Sequence, residues 1–250
     1  MRQRTRPDSL NPDFTQFCKL KPQTRADPFE QAAESLQTLG QSVEKDFWVC
    51  RVIDALFHGL PDRPKLFFRG GTSLSKGFDL IRRFSEDIDL TISPFGLGRP
   101  GTVTSERDPS RLDASQSRIQ KNIDFVAPLA QAHVKRHVVP RLQSLLPDCK
   151  VSLIEEPTDK RGSEIEVQYD LVLPKRGSPW ITIETGIRLG REPATRAQIE
   201  PYCQSAVKNK RFEIADEDRA CRYDITGAHP LGEMSNHASN QQEDAPRDPT

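Results

Sequence analysis

Asp87 and Asp89, separated by Ile88 and followed by Leu90, are the residues of this 250-residue chain best placed to do chemistry. In an extended strand alternate side chains share a face, so the two carboxylates project together while Ile88 and Leu90 point to a core. Carboxylates held side by side repel unless a cation sits between them, and an all-oxygen donor set suits Mg²⁺ or Mn²⁺. Upstream, Gly70-Gly71-Thr72-Ser73-Leu74-Ser75-Lys76 joins a Gly-Gly turn to three hydroxyls and an amine. Glycines let backbone amides approach a phosphate, and Thr72, Ser73 and Ser75 can add donors. Together the two motifs describe a site for a metal-bound nucleoside triphosphate (NTP).

Each motif alone has a plainer meaning: Asp-x-Asp is common at solvated strand ends, and Gly-Gly is usually a turn. Their order makes the stronger case. Leu66-Phe67-Phe68 reads as a short strand entering the turn, and Thr72 to Ile81 as a helix with Leu74, Phe78 and Ile81 on one face. A strand carrying Asp-x-Asp then follows. A Walker-type phosphate loop needs a glycine directly before its lysine; Ser75 stands there, so that reading fails.

Gly70-Gly71-Thr72-x-Leu74-x-Lys76 followed by Arg83-Phe84-Ser85-Glu86-Asp87-Ile88-Asp89-Leu90 resembles the nucleotidyltransferases of the AbiEii/AbiGii toxin family. Glu44-Lys45-Asp46-Phe47-Trp48 and Ile181-Thr182-Ile183-Glu184 are similar to its pattern as well, and the likeness runs from about Phe29 to about Phe212. The resemblance implies an α/β (α+β type) fold of the polymerase-beta-like superfamily, a small mixed sheet flanked by helices. It implies transfer of a nucleotide from an NTP, with Mg²⁺ or Mn²⁺ held by Asp87 and Asp89. It also implies a triphosphate held by Gly70, Gly71, Thr72, Ser73 and Lys76, a cognate antitoxin, and an acceptor such as tRNA, other RNA or a protein.

Further candidates divide between chemistry and structure. In Ile181-Thr182-Ile183-Glu184 the isoleucines share one face and Glu184 the other. On a strand beside Asp-x-Asp, Glu184 would help deprotonate or position an acceptor hydroxyl; otherwise it is an exposed residue paired with Arg188. Glu164 and Glu166 compete more weakly, since their alternation fits solvent. Lys76 lies one helical turn beyond Thr72, and can equally reach the triphosphate or cover the helix surface. Arg82 and Arg83 are better read as structural partners of Glu86. His133 and His137 are i, i+4 neighbours with Lys135 and Arg136 between them, which suits a basic face better than zinc. Lys208, Lys210 and Arg211 form a small basic cluster, solvated or touching RNA or phosphate.

Around these motifs the chain reads as one domain with loose ends. Residues 1–27 are polar and dotted with proline, predicting a flexible arm; residues 28–215 carry the transferase motifs. Helices are expected over Phe29 to Leu39 and Ser42 to His58, and a long one over Leu112 to Leu146, kinked or divided by Pro128 and Pro140. Strands are expected at Lys150 to Ile154, Glu164 to Leu173 and Trp180 to Ile187. The Gly- and Pro-rich stretch after Ile92 predicts a long loop beside the site, functional or mobile. The hydrophobic share is 35% and the charged share 29%, with zero net charge, so any RNA-binding surface must be local. Five scattered cysteines without Cys-x-x-Cys suit free thiols. With no apolar run or signal-peptide core, a cytoplasmic protein without membrane contact is expected.

Residues 216–250 depart from the family, which continues with a Thr-Phe-Trp-Glu-Lys-like helix start whose lysine is thought to hold the nucleotide. This tail has almost nothing apolar to bury and reads as disordered. Ile225 to Met234, translated one base forward with permitted codons, spells Leu-Pro-Glu-Arg-Thr-Leu-Trp-Glu-Lys. A frameshift between Asp218 and Tyr223 is therefore expected, leaving a C-terminally shortened product. The readings that remain are a toxin–antitoxin nucleotidyltransferase, an antibiotic-type transferase acting on small molecules, and an inactive nucleotide-binding remnant.

Overall fold

The computed structural model describes residues 10–61, 64–76, 87–110, 114–173, 178–187, 198–203 and 212–213. Arg82 to Glu86, Arg188, Lys208 to Arg211, Cys221 and the expected tail at 216–250 lie outside them.

Alternation of apolar and polar residues builds one five-stranded sheet. β1 (Leu66–Arg69), β2 (Ile88–Ile92), β3 (Lys150–Leu153), β4 (Ser163–Gln168) and β5 (Trp180–Gly186) lie in the order β1-β2-β5-β4-β3. β2 and β5 are parallel; the other three pairings are antiparallel, so the sheet is mixed as the resemblance implied. Ile88, Leu90, Ile92, Ile165, Val167, Ile181 and Ile183 line the buried face. The opposite face carries Asp89, Thr91, Thr182, Glu184, Glu164 and Glu166, none of them buried. β6 (Gln198–Ile199) and β7 (Phe212–Glu213) form a separate antiparallel ribbon.

The first three helices are α1 (Pro12–Cys18), α2 (Pro22–Leu36) and α3 (Gly40–His58). Residues 10–27 are thus no loose arm. Phe14 and Phe17 are buried, and their rings stand 5.2 and 4.8 Å from Phe47 on α3. Proline misled the reading: Pro22 opens α2, where its missing N–H costs nothing, and Pro28 sits within the helix that Phe29 and Ala33 anchor. Every residue of α3 from Val43 to Leu56 is buried, as expected for a helix enclosed on all sides. Trp48 stacks on Tyr169 at 4.9 Å.

Past β2 the expected long loop is packed rather than loose. Leu97, Val103 and Asp108 are buried, and the Asn122 amide donates to the carbonyls of Glu106 and Asp108 at 3.1 and 3.3 Å. The long helix is observed as α5 (Gln116–His133), a wider π-helical turn over Val134–Val138, and α6 (Val139–Leu145). Pro128 leaves α5 continuous, whereas the division falls just before Pro140, whose ring and missing N–H a regular turn cannot accommodate. β4 ends at Gln168 instead of Leu173, because Glu44 on α3 draws the chain away: its carboxylate accepts the Val172 and Leu173 amides at 2.7 and 3.2 Å. Among the described residues no helix is long and apolar enough to cross a membrane.

Candidate active site

β1 runs directly into α4 (Gly70–Lys76), and Gly70 is the joint between them. Its φ of +75° favours glycine, and a Cβ there would overlap the carboxylate of Asp89. The Thr72 hydroxyl donates to the Asp87 carbonyl at 2.5 Å, and the Ser73 hydroxyl to the Gly70 carbonyl at 2.9 Å. Both side chains are buried: the Thr72 hydroxyl binds the turn to the acidic segment, and that of Ser73 closes the turn on itself. Gly71 follows in the first turn of α4, half-buried.

Strand register assembles the acidic face. Asp89 stands opposite Arg69 on β1 and opposite Glu184 on β5, and Glu184 in turn opposes Glu164 on β4. Directly opposed residues share a face, so Arg69, Asp89, Glu184 and Glu164 form one row across four strands. Asp87, just ahead of β2, is exposed, as is Glu184, while Asp89 is half-buried. Glu164 is drawn to one side, accepting the Thr158 amide at 2.5 Å. Arg69 escaped the sequence reading; its only signal was a cation ending the strand immediately before the Gly-Gly turn.

The donor chemistry fits a hard divalent ion, since every candidate ligand is an oxygen. Among the described residues no group of three or more His, Cys, Asp or Glu forms a ready metal cage. Mg²⁺ characteristically takes one or two carboxylates and completes its shell with water and substrate phosphate, so the carboxylates on this face suit a metal that arrives with a nucleotide. His133 and His137 have ring centroids 5.0 Å apart, and burial, followed by the charge of His137, pushes the His133 imidazole below its usual range.

Lys76 departs from its expected place. Its side chain is only 6% exposed, so it does not cover the helix surface. The ammonium lies 2.5 Å from Asp46 Oδ1, donates to the Glu200 carbonyl at 3.0 Å and sits 3.4 Å from the centre of the Tyr202 ring. The Tyr202 amide donates to Asp46 Oδ2 at 2.7 Å. Burial pushes the Asp46 carboxyl up, opposed chiefly by Lys76. Burial also disfavours the Lys76 charge, but nearby Cys50 and Asp46 outweigh it and raise the amine, which stays cationic. Charged residues inside an otherwise apolar helix were the overlooked signal for Asp46; nothing local marked Glu200 or Tyr202.

Comparison with known proteins accords with the motifs. No curated protein matches the chain. Among solved structures, the chain is similar to MenT4, a nucleotidyltransferase toxin from Mycobacterium tuberculosis H37Rv, at 16% identity and a TM-score of 0.38. That alignment covers 77% of this chain and 54% of the other, so the chain spans about half the length of that toxin. The family model for the nucleotidyl transferase AbiEii toxin of type IV toxin–antitoxin systems matches residues 54–216, from the end of α3 through all five sheet strands. The chain belongs to the AbiEii nucleotidyltransferase toxin family.

Proposed function

We propose that the protein is a metal-dependent nucleotidyltransferase of the toxin–antitoxin type, moving a nucleotide from an NTP to a hydroxyl of an RNA acceptor. The observation that carries this reading is the register of β2 against β5, which sets Asp89 beside Glu184 while the Gly70 turn abuts the Asp89 carboxylate.

Asp87 and Asp89 would hold Mg²⁺ or Mn²⁺, which when bound withdraws charge from the phosphates and orients the reacting oxygens. The Gly70-Gly71 turn lets the triphosphate approach backbone; Thr72 keeps that turn in place beside Asp87, and Ser73 fixes its shape through the Gly70 carbonyl. Glu184, exposed and one strand away, accepts the proton of the acceptor hydroxyl as its oxygen bonds to the α-phosphorus. The bond from the α-phosphorus to the bridging oxygen breaks, and pyrophosphate leaves. Such transfer asks for position and charge stabilisation more than covalent chemistry from the protein. Arg69, at the other end of the row, adds a cation near the anionic substrate. A cognate antitoxin is the expected partner, and the cytoplasm the expected compartment.

Labelled NTPs, Mg²⁺ or Mn²⁺, and total bacterial RNA and protein form the test, with Asp87→Ala, Asp89→Asn and Glu184→Gln beside the parent. Transfer to RNA by the parent, at least 100-fold lower in the aspartate variants, is expected. Label on protein or on a small molecule would replace the acceptor class. A parent that binds NTP without transfer, while a frame-restored longer chain transfers, would make this product a nucleotide-binding remnant; silence from both chains would end the enzyme reading.

A further inference from the structure

We propose that Lys76 is a positioning residue, a buried cation by which α3 and the segment 198–203 together fix the nucleotide turn, rather than a phosphate ligand. The inference rests on the transferase reading for its consequence, although its geometry stands without it.

Three segments distant in sequence meet at one ammonium. Asp46 comes from α3, Lys76 is the last described residue of α4, and Glu200 and Tyr202 follow β6. Both oxygens of Asp46 are used: Oδ1 by Lys76 and Oδ2 by the Tyr202 amide. Lys76 takes a second acceptor in the Glu200 carbonyl, and the Tyr202 ring covers the ammonium from a third direction. The contacts close a loop, from Asp46 to Lys76 to Glu200, along the chain to Tyr202, and back to Asp46. An ammonium with a carboxylate, a carbonyl and an aromatic face around it has little left to offer a phosphate.

The location gives this loop its effect on the site. Lys76 follows Gly70 by six residues on α4, so it lies only about 9 Å along the axis from it. The N-terminal end of α4 is fixed by Thr72 on the Asp87 carbonyl and by the close approach of Gly70 to Asp89. Lys76 fixes the helix again about a turn and a half further on. A helix held at two points cannot pivot freely, and the turn at its start keeps its distance from the acidic strand. Without the second tether, α4 can pivot on Thr72 and spoil the pocket for the triphosphate while Asp87 and Asp89 stay in place. A positioning role therefore predicts damage to NTP affinity ahead of damage to the chemical step.

The test replaces the whole pair by apolar residues of similar size, Asp46→Leu with Lys76→Met, because removing one partner would strand a buried charge. Hydrogen exchange is read at residues 70–76 and 199–203 of the full chain, with affinity for a magnesium-bound non-hydrolysable ATP analogue and transfer kinetics. The expected result is a melting temperature within a few degrees of the parent, at least tenfold faster exchange in 70–76, and about tenfold weaker nucleotide binding. KM should rise with kcat nearly unchanged. Parent-like exchange and affinity in the double variant would overturn the proposal. Should the double variant melt far lower, Lys76→Arg decides: it keeps the charge beside Asp46, so slow exchange and near-parental affinity are expected, and tenfold weaker binding with slow exchange would make Lys76 a phosphate contact. If the parent itself binds no nucleotide, the transferase reading falls, and exchange in 70–76 alone still passes or fails the positioning role.

Discussion

Gly70 bears two independent constraints, a left-handed backbone and a carboxylate against its Cα. The two can be separated because Gly101 has a comparable φ of +82° with open space around it. At Gly101 an alanine meets only the backbone penalty of about 1–2 kcal/mol. At Gly70 the same penalty is joined by overlap with Asp89, which must rotate away from β2 or push the turn outward. Gly70→Ala is therefore expected to lose at least 100-fold in nucleotide transfer, and Gly101→Ala to lose little beyond stability, with thermal melting and transfer assays run on both. Equal activity in the two variants would mean that the Asp89 contact has no part in catalysis. Sequence alone made Gly70 a phosphate turn, but the approach of Asp89 to it depends on strand register across a gap of eighteen residues, which no local pattern encodes.

α3 holds the fold together through its acids as much as its apolar residues. Glu44 binds the amides of Val172 and Leu173, Asp46 serves Lys76 and Tyr202, and Asp54 accepts the Asn11 amide at 2.8 Å while His58 Nδ1 lies 2.6 Å from its other oxygen. Hydrophobic spacing made α3 legible to within two residues of its start, and the three sheet strands of the second half to within one residue at every end but that of β4, which stops five residues before Leu173. It could not reveal these acids as anchors, because each binds a backbone amide distant in sequence, which carries no side-chain signature, and Lys76 lies thirty residues from Asp46. α1 carries local start signals, with Asn11 accepting the Asp13 amide and Pro12 at the first helical position, but its seven residues are held in the fold by Phe14 and Phe17 meeting Phe47, which no local pattern shows. Burial pushes the Glu44 carboxyl up despite its two amide donors, so its ionisation is disfavoured by folding. The sign follows: its contribution is greatest below its ordinary value of 4.5 and is lost as pH rises through the raised folded value. Glu44→Gln, neutral at every pH, should flatten stability above pH 4.5 and cost about 1 kcal/mol, whereas Glu44→Ala leaves two amides unpaired and should cost about 2–3 kcal/mol. Urea unfolding between pH 4 and 8 measures both, and a parent whose stability climbs with pH more steeply than that of Glu44→Gln would reverse this account.

At the scale of the whole molecule the charges cancel, with 36 basic and 36 acidic residues, but the open face of the sheet does not share that balance. Asp89, Glu184 and Glu164 occupy one row, and Glu166 shares their face on β4. Neighbouring strands are about 4.8 Å apart, and like charges at that distance repel by about 1 kcal/mol even in water. Arg69 relieves one end of the row; the middle is where a divalent ion with its nucleotide would do most good. Anything that binds only the folded state stabilises it by mass action, so a ligand at ten times its dissociation constant adds about 1.4 kcal/mol. For a domain of this size that corresponds to a rise in melting temperature of roughly 3–6 °C. Mg²⁺ with a non-hydrolysable ATP analogue should produce that rise in the parent, and NaCl at matched ionic strength should not, since screening alone acts weakly on so short a separation. Asp89→Asn removes one ligand and one repulsion together. It should melt slightly above the ligand-free parent and lose most of the Mg²⁺-dependent rise. A variant that keeps the full rise would move the metal off this strand, and with it the chemistry assigned to the sheet's open face.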